Sequence, residues 1–323
     1  MNDDERIQPA LFAMALGLVA AWGERGVEPD AVVGHSQGEI AAAVVAGALA
    51  LEHGARLVCT RAKLVASRPG GAMLMIGRPV AAVEAQLRGR DEVSIAVVNG
   101  ESATVVAGAR TQLVTLEAEC EAAGVFCRWI KVSYASHSPH MDPLLEPLAR
   151  ASAWLQPKPA ALEMVSSVRG ARVSGLELDA RYWCANLREP VRFDRALANL
   201  RERGHTTFVE ISAHPLLSTI IEDSGALSVS TLSRGRGGIV EFERGAARLH
   251  VEGYALGGST PGPRAQLPTQ AFVRQTFTTS TRAPTPPLTQ PPSSDPIADM
   301  RRQLEAFQTI TQRQLEALSN SHL

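Results

Sequence analysis

Gly34, His35, Ser36, Gln37 and Gly38 form a G-x-S-x-G pentapeptide between an apolar, strand-like run, Ala31 to Val33, and an Ala-rich helical run, Ile40 to Leu49. On a sharp strand-to-helix turn the serine hydroxyl stands exposed above a helix N-terminus. The N–H of the next residue, Gln37, then points to where an oxyanion would form. This is the geometry of a nucleophile, and a serine needs a base to take its proton; near neutral pH the usual base is imidazole. His137 and His140 lie in the polar stretch Ser133 to Leu145, and either could stand opposite Ser36. His35 adjoins the serine, but neighbouring side chains diverge on such a turn, so it is expected to support the turn. Arg61, on a helical stretch after the pentapeptide, would clamp a carboxylate through two parallel hydrogen bonds if it faces the serine; facing outward it is a solvated surface residue. Glu39 is expected to cap the helix that follows the turn.

The elements that must position these groups follow from periodicity. Ile7 to Trp22 repeats apolar residues at helical spacing, with Pro9 placed for a first turn; Gly26, Pro29 and Asp30 end it before the strand leading to Ser36. Helix, buried strand, sharp turn and helix predict an α/β layer with its site at the strand's C-terminal end. A helix over 51–64 carries Arg61. From 72 to 133 the order β-α-β-β-α-β predicts a ferredoxin-like unit, its central hairpin turning at Asn99-Gly100. Leu162 to Ser167 and Thr207 to Ile211 read as strands, Arg192 to Arg203 as a helix, Pro215 to Ile221 as a helix start, and Tyr182 to Val191 as a polar loop.

The expected fold class is therefore α/β: a hydrolase-like parallel-sheet body, 1–71 and 134–235, with an inserted ferredoxin-like subdomain, 72–133. Beyond 235 the core pattern thins. Residues 236–294 read as a linker, Gly-rich and then Pro- and Thr-rich, and 295–320 as a C-terminal helix for docking or dimerisation.

A formal net charge of -1 over 323 residues leaves no electrostatic case for nucleic acid or an anionic membrane as partner. Cys59, Cys120, Cys127 and Cys184 form no C-x-x-C pair and no cluster with histidine, so no metal site is expected and the thiols read as reduced. The acidic start and the lack of an uninterrupted apolar run of about 18 residues predict a cytoplasmic protein.

The run from Ile7 through GHSQGE to Leu64, followed in order by AVVNGESATVVAG, YASHSPHM, YWCANLREPVRF and FVEISAHPLL, resembles the acyltransferase domain of modular type I polyketide synthases, related to malonyl-CoA:acyl carrier protein transacylases. The likeness covers about residues 7 to 235, and LPTQAF at 267–272 resembles the linker that follows such domains. The resemblance implies a Ser-His dyad working by ping-pong: Ser36 is acylated, His137, last of YASH, is its base, and Arg61 binds the extender's carboxylate. It also implies that Gln37 lends its N–H to the oxyanion hole and that Gln8 lies near the substrate. No cofactor is implied; the substrate is an acyl-CoA, methylmalonyl-CoA or malonyl-CoA, and the phosphopantetheine belongs to the partner acyl carrier protein. Other polyketide synthase domains or subunits are implied as further partners. GHSQGE with YASH resembles methylmalonyl-selective members, Tyr134 and Ser136 leaving room for the methyl group. Members of the family begin with a strand and a G-Q-G loop upstream of where this sequence starts, so the resemblance implies an N-terminally truncated body with half of its oxyanion hole encoded. Two other readings stand beside it: a catalytically impaired fragment acting in binding or docking, and an α/β serine hydrolase, which needs an acid between serine and histidine in chain order.

Overall fold

The computed structural model describes residues 3–257. The expected LPTQAF segment and the helix at 295–320 lie outside the described residues. Four elements open the chain: α1 (Asp3–Glu24), β1 (Ala31–Val33), α2 (Gly38–Val45) and α3 (Leu51–Ala66). α1 starts earlier than its apolar pattern, so Pro9 falls inside the helix, where its missing N–H leaves the Glu5 carbonyl without its helical donor. The span Glu5–Glu24 is long and apolar enough, by length and composition, to cross a membrane. Within the fold its Gln8, Phe12 and Trp22 are buried against neighbouring elements.

The inserted unit comprises β2 (Gly71–Ile76), α4 (Val80–Gln86), β3 (Val93–Gly100), β4 (Ala103–Ala109), α5 (Arg110–Ala122) and β5 (Cys127–Ile130). Its strands pair antiparallel in the order β5-β2-β4-β3, the ferredoxin-like arrangement. One face packs Leu74, Ile76, Val83, Val106, Leu113 and Leu116 beneath α4 and α5. Asn99-Gly100 is not the hairpin turn: Gly100 pairs with Ala103, so Glu101 and Ser102 make it. A register shift between Val98 and Gly100 turns Asn99 to another task, described below.

The chain returns to the body through a 3-10 turn (Pro139–Met141), α6 (Asp142–Ser152), β6 (Glu163–Ser166) and β7 (Ala171–Val173), then α7 (Ala180–Arg188), β8 (Val191–Arg192) and α8 (Phe193–Glu202). β9 (Thr207–Glu210), α9 (Ser218–Asp223), β10 (Leu227–Ser230) and α10 (Gly238–Val251) complete it. β1 pairs parallel with β6, and β9 parallel with β10; β7 is a short antiparallel addition to β6 that periodicity did not mark. The largest core cluster joins Ile40, Leu57, Met141, Leu148, Met164 and Trp183 across α2, α3, α6, β6 and α7.

Two further expectations change. The stretch read as a polar loop, Tyr182 to Val191, is mostly α7, capped by Asp179, whose carboxylate accepts the Tyr182 N–H at 2.9 Å. Residues 236–257, assigned to the linker, hold α10, which buries Phe242, Ala246 and Leu249 at helical spacing against Trp22 and Val229. The Phe242 and Trp22 rings stand 4.6 Å apart.

Candidate active site

β1 ends at Val33 and α2 begins at Gly38, so the chain must reverse within four residues. It does so with Ser36 at φ 54°, a left-handed conformation that costs an L-residue about 1–2 kcal/mol. Gly34 makes this possible: a Cβ there would lie 2.2 Å from the Glu39 nitrogen, whereas one at Gly38 would meet nothing within 4 Å. The Ser36 carbonyl accepts the Glu39 N–H at 3.1 Å and opens the helix. The Gln37 N–H has no acceptor among the described residues and is free to donate.

His137 comes from the loop after β5, 101 residues from Ser36, and its Nε2 lies 2.7 Å from Ser36 Oγ. It too is left-handed, at φ 59°. Its backbone N–H donates to the Leu187 carbonyl at 3.1 Å, and its Nδ1 lies 2.9 Å from the Glu189 carbonyl oxygen. A carbonyl can only accept, so Nδ1 carries the proton and the Nε2 lone pair faces the serine. Burial, then the positive charge of Arg61, pull the imidazole down to a pKa of about 3, so it is a neutral base at physiological pH. His140, the other loop candidate, is turned away; its Nε2 is 3.3 Å from the Arg68 carbonyl while Arg68 Nε donates to its own carbonyl at 3.1 Å. It braces the loop.

Arg61 projects from α3 inward and is 4% exposed. Its Nη1 donates to Gln8 Oε1 at 2.6 Å, yet its Nε and Gln8 Nε2 are buried without partners among the described residues. No carboxylate among the described residues lies within 4.0 Å of it, and burial lowers its pKa. A buried guanidinium with idle donors is costly to hold and is ready for an anion. Tyr134 is half-buried near Arg61, and Ser136 is buried beside His137. The Gln37 side chain is turned inward, its Oε1 buried without a donor among the described residues.

The chain matches the family model for the acyl transferase domain over residues 1–256. The chain belongs to the acyl transferase family. It is 41% identical over 294 residues to erythronolide synthase EryA2 of Saccharopolyspora erythraea, covering 86% of this chain and 8% of that synthase. Among solved structures it resembles the acyltransferase domain from module 8 of the salinomycin polyketide synthase, at 39% identity and a TM-score of 0.76, over 78% of this chain and 62% of the other. The loading acyltransferase of the avermectin modular polyketide synthase is similar at 36% identity and a TM-score of 0.74, over 76% of this chain and 80% of the other. The chain thus spans less than a tenth of the length of the synthase relative.

Within this acyltransferase domain Glu39 is not the helix cap expected of it; Gln37 occupies the cap position and no side chain bonds there. Glu39 is wholly buried and reaches from α2 to the end of β6, where its carboxylate accepts the Ser167 N–H at 2.5 Å, the Ser167 hydroxyl at 2.6 Å and the Tyr182 hydroxyl. Burial raises its pKa, against the bonds from Ser167 and Tyr182. It pins the helix that follows Ser36 to the sheet and to α7. His35 turns away from Ser36, as expected, and its Nε2 lies 2.8 Å from Asn99 Oδ1 of the ferredoxin-like unit. Glu189 was missed as a participant because it acts through its backbone, which no side-chain pattern signals. Asn186, also missed, reaches the Ser36 carbonyl from α7.

Proposed function

We propose that this domain moves a carboxylated extender acyl group from coenzyme A to the phosphopantetheine thiol of an acyl carrier protein through an ester on Ser36. The observation that carries the reading is Arg61, a buried guanidinium with no carboxylate partner among the described residues, whose charge is felt at the imidazole 2.7 Å from Ser36 Oγ. Ser36 Oγ attacks the thioester carbonyl while its proton passes to His137 Nε2. The oxyanion is met by the Gln37 N–H, a donor worth about 3 kcal/mol in such sites. The C–S bond breaks and His137 returns the proton to the departing sulfur. The carrier's thiol then gives its proton to His137, its sulfur attacks the ester carbonyl, and Ser36 leaves reprotonated. Gln8 aligns Arg61, and the extender's free carboxylate pairs with its idle donors.

Methylmalonyl is the preferred extender in this reading, with Tyr134 and Ser136 lining the side of the site where the α-substituent sits. One methyl group separates substrates by about 1–3 kcal/mol, so malonyl remains a slower substrate. The orienter of His137 is a backbone carbonyl rather than an Asp or Glu side chain, which favours a Ser-His transferase dyad over a hydrolase triad.

Intact-protein mass spectrometry after mixing with methylmalonyl-CoA should show one acyl adduct, absent from Ser36→Ala. Arg61→Ala should lose acylation by methylmalonyl- and malonyl-CoA by tenfold or more relative to propionyl- and acetyl-CoA. An Arg61→Ala variant with the wild-type substrate ranking sinks the carboxylate clamp. No adduct on wild type sinks the transferase.

A further inference from the structure

The last turn of α7 touches both members of the dyad. Leu187 and Glu189 hold His137 through their carbonyls, and Asn186, 1% exposed, donates from Nδ2 to the Ser36 carbonyl at 3.1 Å. We infer that Asn186 is a positioning residue that orients the Ser36–Gln37 peptide, so that its N–H is aimed at the reacting carbonyl. This rests on the reading above in taking Ser36 as the nucleophile and the Gln37 N–H as the oxyanion donor.

The peptide bond is planar, and no cis bond occurs among the described residues, so its C=O and N–H point in opposite directions. The Ser36 oxygen accepts two donors, the Glu39 N–H at 3.1 Å and Asn186 Nδ2 at 3.1 Å. Two donors from different elements fix the plane, and the Gln37 N–H is thereby fixed on the other side. The bond to a carbonyl also polarises the peptide, which makes its N–H a stronger donor in a buried site. Asn186 Oδ1 is buried and has no partner among the described residues. A leucine of similar size would avoid that cost, so the residue type is explained by its donor half rather than by packing. Ser36, at φ 54°, is where such a restraint matters, because a relaxed elbow would turn the peptide away.

The test is the rate at which a fluorophosphonate labels Ser36. Ser36 Oγ forms a bond to phosphorus, fluoride leaves, and the hydroxyl proton goes to His137 Nε2, so the probe reads nucleophile and oxyanion donor without needing an extender thioester. Asn186→Leu and Asn186→Ala should label about 10- to 100-fold more slowly, short of the loss on deleting an oxyanion donor outright. The midpoint of the acid limb should stay where it is in wild type, because His137 keeps its own contacts. With methylmalonyl-CoA, kcat should fall while KM holds. Labelling at the wild-type rate, a loss no larger than the unfolded fraction seen by circular dichroism, or a shifted acid limb with an unchanged plateau each overturns the inference. Should both variants fail to fold, wild type decides it: on phosphonylation the Gln37 amide proton should move downfield while the Asn186 side-chain amide stays protected from exchange, and an exposed Asn186 amide overturns it. A wild type that labels with the probe but takes no acyl group from carboxylated thioesters removes the extender reading and leaves this comparison standing; one that labels with neither overturns both.

Discussion

His137 and Arg61 are coupled by charge, and that coupling has a sign that can be measured. The folded imidazole sits at about 3, below its ordinary 6.5, with burial the first cause and Arg61 the second. The unfolded chain therefore binds one more proton than the native one between those values. Stability at this group is complete above pH 6.5 and falls on acidification towards about 3, by up to about 1.4 kcal/mol per pH unit. Catalysis by the free enzyme should thus keep its base down to acidic pH wherever the fold survives. When a carboxylated thioester neutralises Arg61, one of the forces holding the imidazole down is removed. The acid limb of kcat should then lie at higher pH than that of kcat/KM, and Arg61→Ala should move the kcat/KM limb upward; coincident limbs in both proteins would mean Arg61 does not face His137 across the substrate. At this scale Ser36 was singled out by its motif and His137, His140 and Arg61 were named as candidates, but the choice of His137 over His140 and of an inward over an outward Arg61 came only from matching ordered blocks. Asn186 and Glu39 were not legible, because a buried amide or carboxylate is distinguished from a surface one by its partners, and those lie 150 and 128 residues away.

Three elements meet at the Ser36–His137 pair, the β1–α2 elbow, the loop carrying His137 and the end of α7, and the elbow is the least tolerant. The elbow has none at Gly34, where a methyl group would be driven 2.2 Å from a backbone nitrogen; at Gly38 the same methyl group meets open space. Gly34→Ala should therefore unfold the elbow and abolish labelling of Ser36, with a lowered Tm by calorimetry. Gly38→Ala should fold with a Tm close to wild type and lose acylation only through the methyl group's bulk beside Ser36. Equal Tm values for the two would contradict the elbow geometry. The helices with clean apolar spacing were legible within a few residues, since periodicity is set by burial on one face. α7 was not, because its buried Tyr182, Trp183, Asn186 and Leu187 mix polar with aromatic side chains. The Asn-Gly signal misled for a specific reason: Asn99 is committed to His35, and the turn moved on to Glu101-Ser102.

At the scale of the whole described fold, body and ferredoxin-like unit are held together by a seam that the order of elements did not disclose. β8, formed by the returning chain, pairs parallel with β3 at Val97 and Val98 and extends the subdomain's sheet by one strand. Over this pairing Val97, Val105, Val191, Phe193, Leu197 and Ile221 form one apolar cluster drawn from both parts. At the edge of that cluster His35, held neutral by burial, donates from Nε2 to Asn99 Oδ1 and packs its ring 5.8 Å from that of Phe193. The residue before Ser36 is thus fastened to a partner in the inserted unit, outside the body. Asn99→Ala would leave the imidazole N–H buried and unpaired, a cost of about 1–3 kcal/mol. If the seam stiffens the elbow, that variant should show faster amide exchange both at Val97–Val98 and at Gly38–Ile40, with slower labelling of Ser36. Phe193→Ala, which opens a cavity in the same cluster, should destabilise by about 3–5 kcal/mol and speed exchange at the same two places. Faster exchange confined to β3, with the elbow unchanged, would show that the body holds Ser36 by itself and that the seam serves only to dock the subdomain.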